Sequence, residues 1–187
     1  MHFKKIILLP LFVFVSFLSV AHAAIHDQYN RYVGQYVSVG GGATFANKIY
    51  QPPNNTQSGL IGGAANLFLG DQINPYFAPE VGFGYAQFRS GGLTIIALNF
   101  RFTAPIGSHV SLFGKLGPAY AELTTRMNGY QSTNSFVPAL GLGVGYGLTY
   151  QWMLSLEANG VWLPQDMGNG NGLAGGLTIN ATRYFNA

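Results

Sequence analysis

Between Leu140 and Thr149 every second residue is large and apolar, with Leu140, Leu142, Val144, Tyr146 and Leu148 alternating against Gly141, Gly143, Gly145, Gly147 and Thr149. A two-residue period puts the two sets on opposite faces of an extended strand, one greasy and one nearly bare. A helix cannot satisfy that pattern, because its apolar positions recur every three to four residues. The same alternation returns along most of the chain, which constrains it to an all-β fold.

The first residues do not share the pattern. Lys4 and Lys5 precede an apolar run from Ile6 to Val20, and Ala21-His22-Ala23 offers a small-x-small site, so residues 1–23 are expected to be a secretory signal peptide cleaved after Ala23. The run is shorter than the roughly 18 residues that a spanning helix needs. Without Lys4 and Lys5, seven basic residues stand against six acids and the formal charge falls from +3 to +1. So small an excess gives no footprint for nucleic acid. The sequence has no cysteine, which excludes disulfides, thiolate metal sites and a lipidated N-terminal cysteine. Residues 24–187 read as one domain.

Eight alternating runs can be counted in that domain. Tyr32 to Phe45 is followed by a loop at Asn47 to Ser58 containing Pro52-Pro53-Asn54-Asn55, then by Gly59 to Gly70 and a turn at Asp71 to Pro75. Tyr76 to Phe88 and Leu93 to Ala104 are joined around Arg89 to Gly92, and Val110 to Thr125 leads into a polar loop at Arg126 to Ser135. Phe136 to Thr149 and Trp152 to Leu163 meet at a tight turn near Tyr150-Gln151. After a loop at Pro164 to Gly172, the last run sets Leu177, Ile179 and Phe185 against Thr178, Asn180, Thr182 and Tyr184.

An even strand count with short turns alternating with longer polar loops predicts an eight-stranded antiparallel up-and-down transmembrane β-barrel. A soluble carrier barrel has the same period with its apolar face inward. Composition decides between them. Charged residues are only 8% of the chain, against about 25% in soluble domains, and the bulky set is too large for the narrow interior of eight strands. The apolar face is therefore expected to touch lipid and the bare face to line the lumen. Aromatic girdles are expected from Tyr76, Phe77, Tyr150 and Trp152 at the turn edge, and from Tyr85, Tyr120 and Trp162 at the loop edge.

Four ions fall on the inward parity: Glu80, Arg101, Lys115 and Glu157. An unpaired charge in so narrow a tube costs several kcal/mol, so two acids and two bases imply a mutually paired cluster that plugs the lumen, with a gated ion path as the alternative.

The stretch Gln72-Ile73-Asn74-Pro75-Tyr76 through Glu80-Val81-Gly82 resembles the first periplasmic turn and following strand of the outer membrane protein A-like family of small OmpA/OmpX-type barrels. Pro105-Ile106, Leu112, Lys115-Leu116-Gly117, Gly143-Val144, Tyr146, Thr149 and Leu156-Glu157 extend the likeness over most of the mature chain. The resemblance implies an integral outer-membrane protein surrounded by outer membrane lipids and inserted by the outer membrane assembly machinery, with a structural or surface-interaction role through its outer loops. It also implies a luminal salt-bridge gate, with Glu80 as its acid, Arg101 as the basic partner and Lys115 with Glu157 as a second pair. Ser155 stands where the family's gating arginine is expected and Gly145 where an interior acid is expected, so Glu80–Arg101 is the expected substitute pair. The peptidoglycan-binding domain of that family is not expected here, and Phe185 is followed by Asn186-Ala187 where the family ends on its aromatic residue.

Catalytic readings are weaker. His109-Val110-Ser111 has the His-x-Ser spacing of lipid A deacylases, but it follows the turn Pro105 to Ser108 and both residues have lumen parity, away from lipid. His26 adds no metal site, the glycines from Gly141 to Gly147 belong to a strand rather than a phosphate loop, and no cofactor is expected.

Overall fold

A computed structural model describes residues 32–51, 55–57, 60–88, 91–125, 131–164 and 168–185. The leader, the lead-in from Ile25 to Arg31 and the centres of the three long loops lie outside the described residues. Among the described residues there are nine strands: β1 (Gly34–Gln51), β2 (Asn55–Gln57), β3 (Leu60–Gln72), β4 (Phe77–Phe88), β5 (Gly91–Ile106), β6 (Val110–Thr125), β7 (Gln131–Gly147), β8 (Trp152–Leu163) and β9 (Gly168–Tyr184). All but β2 are long, and each pairs antiparallel with its neighbour. The last pairs with the first, from Tyr36↔Tyr184 through Ile49↔Gly168. Eight strands thus close into a barrel with no free edge, as hydrocarbon demands of backbone N–H and C=O groups.

Alternation survives as polarity. Leu140, Leu142 and Ile179 are 65–67% exposed on the outer wall, whereas Tyr36, Glu80, Glu157 and Asn180 are at most 2% exposed inside it. The bulky set faces outward, which is the arrangement of a membrane barrel and the reverse of a soluble carrier. The bare inner face has a steric cause. A Cβ added at Gly117 would lie 1.8 Å from the Leu98 carbonyl oxygen, and one at Gly42 would lie 2.0 Å from that of Leu177. At these close approaches of neighbouring strands only glycine fits.

Three tight turns share one end of the barrel with both strand termini. In the first, Asn74 Oδ1 accepts the Tyr76 N–H at 2.9 Å; in the second, Gly107 adopts φ +77°; in the third, Thr149 Oγ1 accepts the Trp152 N–H at 3.1 Å. At the opposite end the strands outrun the expected boundaries. β1 continues to Gln51 and folds back on β2, β7 begins at Gln131, and β9 begins at Gly168, so parts of the expected loops are strand. Outside the hydrocarbon a polar ribbon can keep its ladder, since pairing depends on backbone partners rather than on an apolar face. Two prolines interrupt the ladder. Pro138 lacks an N–H, and the β7–β8 pairing ends one residue short of it at Ala139↔Val161; near Pro118 the β5–β6 pairing skips from Ala97↔Ala119 to Phe100↔Leu116.

The lumen is layered. Tyr36, Tyr184, Ala78 and Met153 pack together toward the turn end. The ions occupy the middle. Toward the loop end lies an apolar cluster that includes Phe88, Leu93, Leu123, Val137 and Leu163.

Candidate functional site

The middle layer is built by four strands whose inward parity falls on an ion. β4 supplies Glu80, β5 Arg101, β6 Lys115 and β8 Glu157, and each of the four is at most 5% exposed. Arg101 and Lys115 are direct cross-strand partners. Like charges placed opposite each other repel, and the two side chains part. Lys115 Nζ lies 2.8 Å from Glu80 Oε1 and 2.9 Å from Glu157 Oε1, and 3.7 Å from the centre of the Phe68 ring. Gly141, which faces Lys115 across β6–β7, has no side chain to obstruct it.

Both carboxylates are further satisfied on their second oxygens. Tyr36 donates its hydroxyl to Glu80 Oε2 at 2.6 Å, and Asn180 Nδ2 donates to Glu157 Oε2 at 3.0 Å. Among the described residues Arg101 has no carboxylate within ion-pair distance. Its guanidinium lies 4.0 Å from the centre of the Phe113 ring and 5.9 Å from that of Tyr36, with Nη2 at 3.8 Å from Met153 Sδ. Cation–π contacts of this kind strengthen when both groups are desolvated.

The structure gathers all four expected residues into one cluster and corrects one pairing. Lys115–Glu157 forms as expected, but Glu80 is held by Lys115 rather than by Arg101. Arg101 and Lys115 start from the same level, opposite each other and two residues on the turn side of Glu80, but the Arg101 guanidinium packs on Phe113 and Met153 while Lys115 Nζ reaches the carboxylate. Ser155 and Gly145 face each other across β7–β8, and a Cβ at Gly145 would sit 2.8 Å from both Met153 Sδ and Ser111 Oγ. The polar and aromatic partners of the ions were not singled out by sequence. Their signal was available as an aromatic on the otherwise bare parity, at Tyr36, Phe68 and Phe113.

His109 and Ser111 are not brought together. Contrary to its expected lumen parity, the His109 ring is exposed at the turn end and stacks on outward-facing Tyr146 at 5.9 Å, while Ser111 is 1% exposed inside the barrel. Gly107, in the turn just before it, lets the chain leave strand geometry, so parity no longer dictates where His109 points. A serine–histidine dyad would need the two within hydrogen-bond reach.

Residues 11–185 match the family model described as outer membrane protein beta-barrel domain. The chain belongs to that family. It is therefore a small barrel of the bacterial outer membrane, with lipid against its apolar wall. Among solved structures it is similar to Neisserial surface protein A, with 15% identity, 81% of this chain and 97% of that chain covered, and a TM-score of 0.69. It is likewise similar to the attachment invasion locus protein Ail of Yersinia pestis (15% identity, 82% and 99% covered, TM-score 0.53) and to the N-terminal barrel of Pseudomonas aeruginosa OprF (12%, 79% and 96%, TM-score 0.53). At these identities the likeness establishes the fold. Comparison with curated protein sequences gives no match.

Proposed function

We propose that this barrel is a non-enzymatic structural and surface-interaction protein that works through its loop end while its lumen stays plugged. One observation supports the plug above all: a single lysine holds two buried carboxylates from opposite sides of the tube, and the second cation is wedged between aromatic rings beneath them. An ion crossing this layer would have to break contacts that are each desolvated, at a cost of several kcal/mol. Interaction then falls to the surface. The segments Asn47 to Ser58, Arg126 to Ser135 and Pro164 to Gly172 are rich in Asn, Gly, Gln, Ser and Thr and supply hydrogen bonds without a defined motif. Ail, whose fold this chain shares, has been crystallised with the heparin analogue sucrose octasulfate; by analogy, the loops here are the place for a surface ligand. Delivery by a leader cleaved after Ala23 and insertion by the outer membrane assembly machinery complete this reading.

Planar-bilayer recording of the refolded protein tests the plug. No stepwise conductance is expected, and regular single-channel steps abolished by Glu80→Ala would replace the plug with a conduit. That second reading has its own motive, since Arg101 pairs with no carboxylate among the described residues and could exchange with Lys115 for Glu80. Replacing Asn47 to Ser58 with a Gly-Ser segment should remove surface binding and leave the barrel folded.

A further inference from the structure

Above the ionic layer the inner wall is made largely of residues too small to reach the axis, among them Ala64, Gly82, Gly84, Ala97, Ala139 and Gly176, with Phe68, Ile95 and Leu93 the larger members of the lining. Further large side chains follow nearer the loops, at Phe88, Leu123 and Leu163. Between these levels the lumen holds a chamber of about 100 Å³. Its floor contains the Lys115 stem and the carboxamides of Asn66, Asn99 and Asn159; Asn66 Nδ2 donates to Thr178 Oγ1 at 3.1 Å, while its Oδ1 is buried without a hydrogen-bond partner among the described residues. An interior that packs to crystal density elsewhere does not leave such a space without a loss of dispersion contacts.

We propose that this chamber is a binding site for one small, neutral, largely apolar molecule carrying a single polar group, of the size and kind of a phenol. Size sets the upper bound: the chamber is smaller than the engineered cavity of about 150 Å³ that takes benzene, so a single ring is the most it can admit, and only because the chamber is not closed. Polarity sets the class. The apolar walls favour a hydrocarbon body, and the floor carboxamides, with Asn66 Oδ1 among them, can give or accept one hydrogen bond. Charge is excluded because the ions below already balance, two acids against two bases, so a charged guest would enter uncompensated. The source is the lipid phase: outward-facing Leu140 and Gly160 belong to the lining, beside the place where the β7–β8 ladder stops at Ala139↔Val161. This site is independent of the surface role proposed above.

The test is fluorine NMR of 3-fluorophenol and of fluorobenzene added to the refolded barrel in lipid nanodiscs, with empty nanodiscs to measure partition into lipid. Saturable binding beyond that partition is expected for both probes. Ala139→Leu, which fills the chamber, should weaken both at least tenfold. Asn159→Leu should weaken 3-fluorophenol about tenfold and leave fluorobenzene unchanged. Should Ala139→Leu lose the compact band of the folded barrel on unboiled gels, Gly84→Val serves instead, because an added Cβ there meets nothing closer than Ile95 Cβ at 3.7 Å. Equal signals from the parent, the filled variant and empty nanodiscs would overturn the proposal and leave a water-filled void.

Discussion

Replacing Lys115 with methionine keeps most of the length of the side chain and removes its charge, which leaves Glu80 and Glu157 facing each other. Both carboxylate oxygens contact the same nitrogen, at 2.8 and 2.9 Å, so they stand no more than about 5.7 Å apart. Two like charges at that separation repel by about 3 kcal/mol at an effective dielectric constant of about 20. Breaking a buried pair by deleting one partner costs about 3–5 kcal/mol in general, and the two figures agree. Lys115→Met should therefore lose about 3–5 kcal/mol of stability, read from urea unfolding in lipid vesicles by the fluorescence of Trp152 and Trp162. Adding Glu157→Gln restores charge balance, with Glu80 against Arg101, and should recover most of the loss. A Lys115→Met barrel within about 0.5 kcal/mol of the parent would refute the claim that this lysine holds the lumen together, since that is the scatter of ordinary surface substitutions.

Other expectations can be measured separately. Leu142→Arg puts a cation on the outer wall, where Leu142 is 67% exposed, and should cost about 2–4 kcal/mol in the same unfolding assay if the residue lies near the bilayer midplane; an unchanged midpoint in lipid would contradict the lipid-facing assignment. Gly117→Val should prevent refolding to the compact gel band, because its Cβ would meet the Leu98 carbonyl, whereas Gly63→Val, with no atom within 4 Å of the added Cβ, should be tolerated. Protein recovered from outer membranes should begin at Ala24, and Edman sequencing that finds Met1 would remove the cleaved leader. Ser111→Ala should leave the lipid A mass spectrum of an overexpressing strain identical to that of the parent.

The course of the chain through the fold is largely legible from parity, because one face of every spanning strand meets hydrocarbon and the other cannot hold bulk. That single rule places Leu142 outside and Glu80, Arg101, Lys115 and Glu157 inside. It does not supply relative height. Whether Glu80 meets Arg101 or Lys115 depends on the register between β4, β5 and β6, which is set by turn geometry, and on which way the two cations extend from it. Strand ends at the loop side were equally hidden, since Gln131 to Ser135 carries no apolar alternation and is ordered by its partner Ala121 to Thr125. His109 escaped for a third reason: the turn around Gly107 takes it out of the strand whose parity was being counted.

Interleaving large residues with glycine also governs the chain before it folds. Any window of about 19 residues within the barrel averages a leucine-rich set with a glycine-rich one, which makes it a weaker stop signal in the inner membrane than a uniformly apolar segment. Among the described residues no helix is long and apolar enough to stop there. A polypeptide that will finish with Leu, Ile, Phe and Trp against acyl chains can thus be exported as a water-tolerant thread, and it reveals its full hydrophobicity only when pairing sorts the two sets onto separate faces.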